Sequence, residues 1–229
     1  MKFISVIPAR SGSKGIKNKN IIQIGNKPLV QYTFEAVLNS RIRENFVLTD
    51  SVKIKNIAKK FKINTQYNRP KKLSKSTTSL AETLHHFNKW LKRNKIKYDF
   101  MVILQPTSPL RDHKDINKCI QIIKKTKCDS LFSISESIEH PYEAIIKKKE
   151  NWKFVLSKSK KFYRRQDFDI ETYFLNGAIY VSSNKLISQK KTFTNSNHSF
   201  YKMPKSKSLE INDKDEAFII DCILKRRKK

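Results

Sequence analysis

Short apolar runs alternate with longer amphipathic stretches along this 229-residue chain. Lys2 to Ile7 has four apolar residues in six, which predicts a buried strand, and a polar loop follows to Asn20. Pro28 to Leu38 (PLVQYTFEAVL) repeats apolar residues at helical spacing, with proline in the first turn where its missing N–H is tolerated. Phe46 to Thr49 predicts a second strand, ended by Asp50-Ser51, and Val52 to Phe61 a helix. Thr78 to Leu91 predicts another helix, and Phe100 to Leu104 (FMVIL) a strand that stops at Gln105-Pro106. Lys114 to Lys125 then predicts a helix and Ser130 to Ser135 a strand. Over about 140–172 short aromatic stretches alternate with lysine, which predicts an inserted β arm. Tyr173 to Val181 returns to a core pattern. The last helix is predicted from about Asp213 to Arg226, with Asp213 and Glu216 at capping-box spacing.

This alternation predicts an α/β fold with a mostly parallel sheet. No internal repeat and no Gly/Ser or Pro-rich linker divides the chain, so 1–229 is expected to form one domain with the arm as its appendage. Ligands of such sheets bind beyond the carboxyl ends of the strands. The polar motifs after Ile7, Thr49 and Leu104 are therefore expected to share one cleft.

Charge changes this picture less than its size implies. The formal net charge is +29, but only ten of the 49 basic residues are arginine, and the lysines are scattered through nearly every segment. A nucleic-acid binder would concentrate them on one face, with aromatic stacking positions. No specific nucleic-acid partner is expected. A diffuse positive field still steers anionic substrates. Cys119, Cys128 and Cys222 show no CxxC spacing, which fits a reducing compartment. No run approaches the roughly 18 apolar residues of a membrane span, and the first residues are too short an apolar core for a signal peptide. A cytoplasmic location without membrane insertion is expected.

The loop Pro8-Ala9-Arg10-Ser11-Gly12-Ser13-Lys14-Gly15-Ile16-Lys17-Asn18-Lys19-Asn20 holds two of the four glycines of the chain. Glycine lets backbone N–H groups curl around phosphate oxygens, and Arg10, Lys14 and Lys19 are spaced to converge on one triphosphate. The pattern is neither GxxxxGK[ST] nor GxGxxG. A basic surface turn is the alternative. In Leu104-Gln105-Pro106-Thr107-Ser108-Pro109-Leu110-Arg111 two prolines stiffen a loop rich in polar groups, suited to rigid binding. Alternatively, Thr107-Ser108-Pro109 starts the next helix and leaves Arg111 on its surface. Asn176-Gly177 reads as a hairpin turn or as a site of close ligand approach. His85, His86, His113, His140 and His198 have no ligand spacing, and no Ser-His-Asp or Cys-His constellation is present.

These segments resemble the acylneuraminate (CMP-sialic acid) cytidylyltransferases and their relatives for other nonulosonic acids. The carriers are IPARSGSKGIKNKNI at 7–21, GNKPLVQYT at 25–33, LTDS at 48–51, LQPTSPLR at 104–111, RRQ at 164–166 and NGAIYV at 176–181. The resemblance implies a Rossmann-like three-layer domain with a dimerisation arm, hence a homodimer. It also implies transfer of a cytidylyl group from CTP to an acidic nine-carbon sugar of sialic, legionaminic or pseudaminic type, with Mg²⁺ or Mn²⁺. Carried onto this sequence, Arg10 and Lys19 would be catalytic. Ala9, Arg10, Ser11, Gly12, Ser13, Lys14, Asn20 and Arg69 would bind nucleotide. Gln105, Thr107, Ser108, Arg165, Gln166 and Asn176 would face the sugar, and Glu210 with Asn212 would hold the metal.

Two departures stand out. Lys17 occupies a position where the family commonly has proline. Glu210-Ile211-Asn212 replaces an Asp-x-Asp element, with one negative charge fewer, although Glu and Asn oxygens both suit a hard cation. Neighbouring Asp213, Asp215 and Glu216 would either compensate or begin the last helix. A relative using another base, or another sugar such as Kdo, remains the enzymatic rival; Kdo enzymes lack the SKGI element.

Overall fold

The computed structural model describes residues 1–12, 15–156, 168, 170–189 and 192–226. In chain order the first elements are β1 (Phe3–Pro8), the short hairpin β2 (Gln23–Ile24) and β3 (Lys27–Pro28), α1 (Leu29–Leu38) and β4 (Glu44–Leu48). Next come α2 (Val52–Lys60), α3 (Leu80–Arg93), β5 (Phe100–Leu104), α4 (His113–Thr126) and β6 (Ser130–Glu136). The remainder are β7 (Ile145–Lys148), β8 (Asn151–Phe154), β9 (Tyr173–Ser183), α5 (Asn184–Gln189), β10 (His198–Lys202) and α6 (Lys214–Arg226).

Among the described residues the main sheet has the order β10-β6-β9-β5-β1-β4. β1 lies parallel between β4 and β5, with Val6 level with Phe46 and Ile103. β9 is the strand that runs against the others, pairing antiparallel with both β5 and β6. The mostly parallel α/β sheet expected from the alternation is thus present, with one reversed strand in its middle.

Side chains leave alternate faces of each strand, so β1 feeds two cores. Ile7 joins Val30 and Phe34 of α1, Ala58 of α2 and Ile116 and Ile120 of α4 on one face. Ile4 and Val6 join Leu84, Phe87 and Leu91 of α3 and Ile187 of α5 on the other. Burying each such side chain contributes about 1.5–3 kcal/mol, which makes this three-layer packing the main stabilising term. A third cluster, Ile24, Leu29, Tyr32, Leu110, Ile211, Ile220 and Leu224, seats α6 against the β2–β3 hairpin and α1.

Caps fix where the helices start, and therefore where the loops before them end. Ser79 and Glu82 form a capping box on α3, and Asp112 and Asp115 form one on α4. The pair read from the sequence at α6 is also formed: Glu216 N–H donates to Asp213 Oδ1 at 2.9 Å, and Asp213 N–H to Glu216 Oε2 at 3.2 Å. The arm contains the antiparallel hairpin β7–β8, whose residues are all exposed. Residues 157–167 and 169 of the arm lie outside the described residues. Asn176-Gly177 is not a hairpin turn. It lies inside β9 where the register with β6 shifts between Phe132 and Ile134, and Gly177 takes a φ of +68° there.

Candidate active site

The three loops beyond β1, β4 and β5 meet, as the strand ends require. Ser11 donates to Asp50 from both its backbone N–H and its hydroxyl, each at 2.8 Å, which ties the first loop to the end of β4. Burial raises the Asp50 carboxyl, but the two bonds from Ser11 lead the effects that outweigh it and hold the group below its ordinary value. Asn20 is buried and its amide donates to the Arg10 carbonyl at 2.9 Å, closing the loop on itself. Arg10 reaches the Ser74 carbonyl at 3.5 Å. A Cβ on Gly12 would meet nothing within 4 Å, whereas one on Gly15 would lie 2.3 Å from the carbonyl oxygen of Asn212.

Arg69 is buried, donating from Nε and Nη2 to the Leu73 carbonyl at 3.2 and 2.7 Å and from Nη2 to Thr83 Oγ1 at 3.3 Å. Burial lowers its pKa, and the charge of Asp50 counters this. These bonds order the turn that presents Ser74 to Arg10.

Across from this loop runs the segment from Lys207 to Asp213. Lys19 Nζ donates to the Ile211 carbonyl at 2.8 Å. Burial lowers the Lys19 pKa, opposed by the charges of Glu210, Glu216 and Asp213 and reinforced by Arg10. Thr107 supports the same segment from the β5 side: its hydroxyl donates to Glu210 Oε1 at 2.6 Å, and its carbonyl accepts from Ile211 N–H at 2.8 Å. Gly177 makes room for the Glu210 carboxylate, whose oxygens would lie 3.1 and 3.3 Å from an added Cβ. Tyr180 lies beside Gln105, and burial together with the charge of Glu210 raises its pKa. A cavity of about 560 Å³ opens beside Asn176, Glu210 and Glu216, walled by Glu136, Phe174 and Leu175.

The structure therefore brings together Arg10, Ser11, Gly12, Lys19, Asn20, Gln105, Thr107, Glu210 and Asn212 around the strand ends. Three expected contacts are differently employed. Ala9 is fully buried and its N–H is committed to the Leu48 carbonyl at 3.0 Å, so it offers phosphate no donor. Ser108 is also fully buried, beneath the loop rather than on its sugar-facing surface. Asn176 is 7% exposed, with its amide group spent on Ser133, Ala178 and Ser208 to stitch the β9 irregularity. Ser13, Lys14, Arg165 and Gln166 lie outside the described residues. Arg111 is not on a helix surface: α4 starts after it, at His113, and its guanidinium is buried. Sequence reasoning missed the clasp made by Asp50, although LTDS contains that residue.

A family model described as cytidylyltransferase matches residues 4–215. The chain belongs to the cytidylyltransferase family. N-acylneuraminate cytidylyltransferase of Streptococcus agalactiae serotype V is 32% identical over 219 residues, covering 94% of this chain and 52% of that protein. CMP-N,N'-diacetyllegionaminic acid synthase of Legionella pneumophila is 32% identical over 228 residues, covering 96% of this chain and 91% of that protein. The chain thus spans about half the length of the N-acylneuraminate cytidylyltransferases it matches. The solved structure of CMP:2-keto-3-deoxy-manno-octonic acid synthetase complexed with CTP superposes with a TM-score of 0.72 at 16% identity, covering 99% of this chain and 100% of that one. That likeness extends the fold of this cytidylyltransferase family member over its whole length.

Within the cytidylyltransferase chain the donor set at the Lys207–Asp213 segment is all oxygen. Glu210 offers a carboxylate, and Asn212, which is exposed, an amide oxygen. Among the described residues no group of three or more His, Cys, Asp or Glu side chains is placed to hold a metal by itself. Such a sparse set fits a magnesium-like cation, which takes one or two protein oxygens and completes its shell with substrate phosphates and water.

Proposed function

We propose that this chain transfers the cytidylyl group of CTP to an acidic nine-carbon sugar of the sialic, legionaminic or pseudaminic type, releasing pyrophosphate. The observation that carries the reading is the placement of Lys19, from the loop after β1 and within charge range of Arg10, against the segment where Thr107 holds Glu210. Cations of the first loop thus meet the oxygen groups of the Glu210 segment beyond the sheet. The family membership and the names of the relatives support the same conclusion.

In this reading Arg10, Lys14 and Lys19 bind the triphosphate, with Gly12 leaving space for its close approach. The anomeric hydroxyl of the sugar attacks the α-phosphorus, and the O–P bond to pyrophosphate breaks as the new one forms. Both substrates are anions, so Arg10 and Lys19 lower their repulsion and neutralise charge that develops on the departing phosphates. Gln105, beside Tyr180, orients the sugar, and Thr107 holds Glu210 in place. Glu210 and Asn212 would hold Mg²⁺ or Mn²⁺, which when bound supplies further positive charge to phosphate oxygens. Positioning and electrostatics suffice; no covalent intermediate is required.

The same reading makes the chain a homodimer through its arm. Ile145, Trp152, Phe154 and Val155 are 55%, 66%, 40% and 51% exposed there, a concentration of apolar surface expected of a partner-binding element. It also places the protein in the cytoplasm, where CTP is available. Among the described residues no helix is long and apolar enough to cross a membrane.

The deciding experiment follows pyrophosphate release with Mg²⁺, crossing four nucleoside triphosphates with neuraminic, legionaminic, pseudaminic and Kdo-type acids. CTP with a nine-carbon acid is expected to give the strongest signal. Release with no sugar of the panel, or a clear preference for another nucleotide, overturns the proposal.

A further inference from the structure

Arg111 is 2% exposed, and no step described above uses it. It lies between Leu110 and the cap of α4, under the loop that leaves β5. Its Nη2 donates to Thr33 Oγ1 of α1 at 2.8 Å and to the Gln105 carbonyl at 3.4 Å. Among the described residues its Nε and Nη1 have no hydrogen-bond partner. Burial lowers the guanidinium pKa to about 10, opposed by the charges of Asp115 and Asp112, so the group stays cationic near neutrality.

A buried cation is normally retained through a direct bond to a carboxylate. Here both nearby carboxylates are committed elsewhere. Asp115 accepts from the Tyr201 hydroxyl at 2.8 Å, from Asp112 N–H at 3.0 Å and from Lys207 at 3.1 Å. Asp112 accepts from Lys207 at 2.6 Å and from Lys114 N–H at 2.9 Å in capping α4. The directed bonds of Arg111 therefore run to a helix hydroxyl and to one backbone carbonyl. An apolar side chain of the same length would avoid the desolvation cost, so cohesion of the core is a poor account of this residue.

The carbonyl it holds sits at a pivot. Gln105 is the first residue beyond β5, Pro106 follows with no N–H to donate, and the other bond to the Gln105 carbonyl is a 3.4 Å contact from Ser108 N–H. Rotation of this peptide would redirect the Gln105 side chain.

We propose that Arg111 is a positioning residue for sugar recognition: braced on Thr33, its guanidinium holds the Gln105 carbonyl from beneath and so fixes the direction in which the Gln105 amide faces the sugar. The inference rests on the reading of Gln105 as the residue that orients the acidic sugar. Thr33 is on α1 and is linked to Gln105 through Arg111 Nη2. A kinetic effect of Thr33 on the sugar alone would thus be transmitted through Arg111.

The test is steady-state kinetics on the full chain with Thr33→Val, Thr33→Ser, Arg111→Met and Gln105→Ala. Thr33→Val, nearly isosteric but without the acceptor, is expected to raise KM for the acidic sugar about 5-fold, the scale of one hydrogen bond. KM for CTP and kcat should stay within about 2-fold, and Thr33→Ser, which restores the hydroxyl, should return the sugar KM to the wild-type value. Arg111→Met, if it folds, should raise the sugar KM at least about 10-fold, since it removes both bonds. The Thr33 pair decides the matter if Arg111→Met does not fold. A wild-type sugar KM in Thr33→Val, or an equal rise in both KM values, overturns the proposal. If Gln105→Ala leaves the sugar KM unchanged, the reading of Gln105 has failed. If that variant raises it while Thr33→Val does not, only the role of Arg111 has.

Discussion

Lys19 Nζ donates to the carbonyl oxygen of Ile211 at 2.8 Å, seating a cation of the first loop on backbone from near the other end of the chain. The acceptor is neutral, while Glu210, Asp213 and Glu216 surround the ammonium at longer range. Lys19 is thereby held in the site without being fully neutralised by an ion pair.

Lys19→Met and Arg10→Ala should each lower kcat by about 100-fold or more, the scale of one lost electrostatic stabiliser in a water-excluded site. Stability should fall by only about 1 kcal/mol, because each removes a single partly exposed hydrogen bond. Turnover and urea melts measured side by side check this. Wild-type turnover in both variants would remove them from the catalytic site.

Asp50 gives a pH-dependent signature. Its carboxyl is depressed in the folded protein chiefly by the bonds from Ser11, which overcome the effect of burial. A depressed carboxyl stabilises the fold above its unfolded value, about 3.9, and that contribution is lost as pH falls through the folded value. The stability gap between wild type and Asp50→Asn should therefore be open at pH 7 and close below about pH 4. A gap that is the same at every pH would contradict the clasp. At neutral pH the variant should also raise KM for CTP, because Ser11 loses its anchor.

Two glycines of one loop should respond in opposite ways to alanine. At Gly15 a methyl group meets the Asn212 carbonyl at 2.3 Å, and backbone cannot yield cheaply. Gly15→Ala should cost about 1–3 kcal/mol and displace the segment that carries Glu210. At Gly12 a methyl group finds open space, so stability should change by no more than about 0.5 kcal/mol. Any loss of activity in Gly12→Ala would then report on the space above the loop, where the triphosphate is proposed to lie. Denaturant titration and CTP binding separate the two effects.

Trp152→Ser combined with Phe154→Ser removes two exposed apolar side chains of the arm. Sedimentation should show a dimer for the wild type and a monomer for the variant at the same concentration. A variant that remains dimeric would place the interface elsewhere.

Much of this architecture was legible because strong local patterns agree with the tertiary structure. The strand read from FMVIL matches β5 at both ends, since a five-residue apolar run buried on both faces needs no context. Asp213 and Glu216 formed the cap that their spacing predicts. Elements held mainly by a neighbour were not legible: β10 (HSFYK) is a sheet edge, α5 has six residues, and β2 and β3 have two each. Within the site, the convergence of three loops followed from strand order, but the allocation of donors did not. Ala9 spends its N–H on Leu48, Ser108 turns inward and Asn176 stitches β9, because pairing register and packing decide which polar atoms face solvent. Arg111 shows the same limit, as its burial depends on α1 lying beside the loop.

The meeting of Lys19 with the Glu210–Ile211 backbone also bears on biogenesis. A nascent chain that has emerged only as far as β9 already contains every strand of the sheet except β10, and the whole phosphate loop. It still lacks the acceptor for Lys19, the carboxylate of Glu210, and the Asn212 carbonyl against which Gly15 packs. Ligand binding that uses these groups can therefore stabilise the chain only after residues 207–213 have emerged, and until then the emerged part relies on its apolar core.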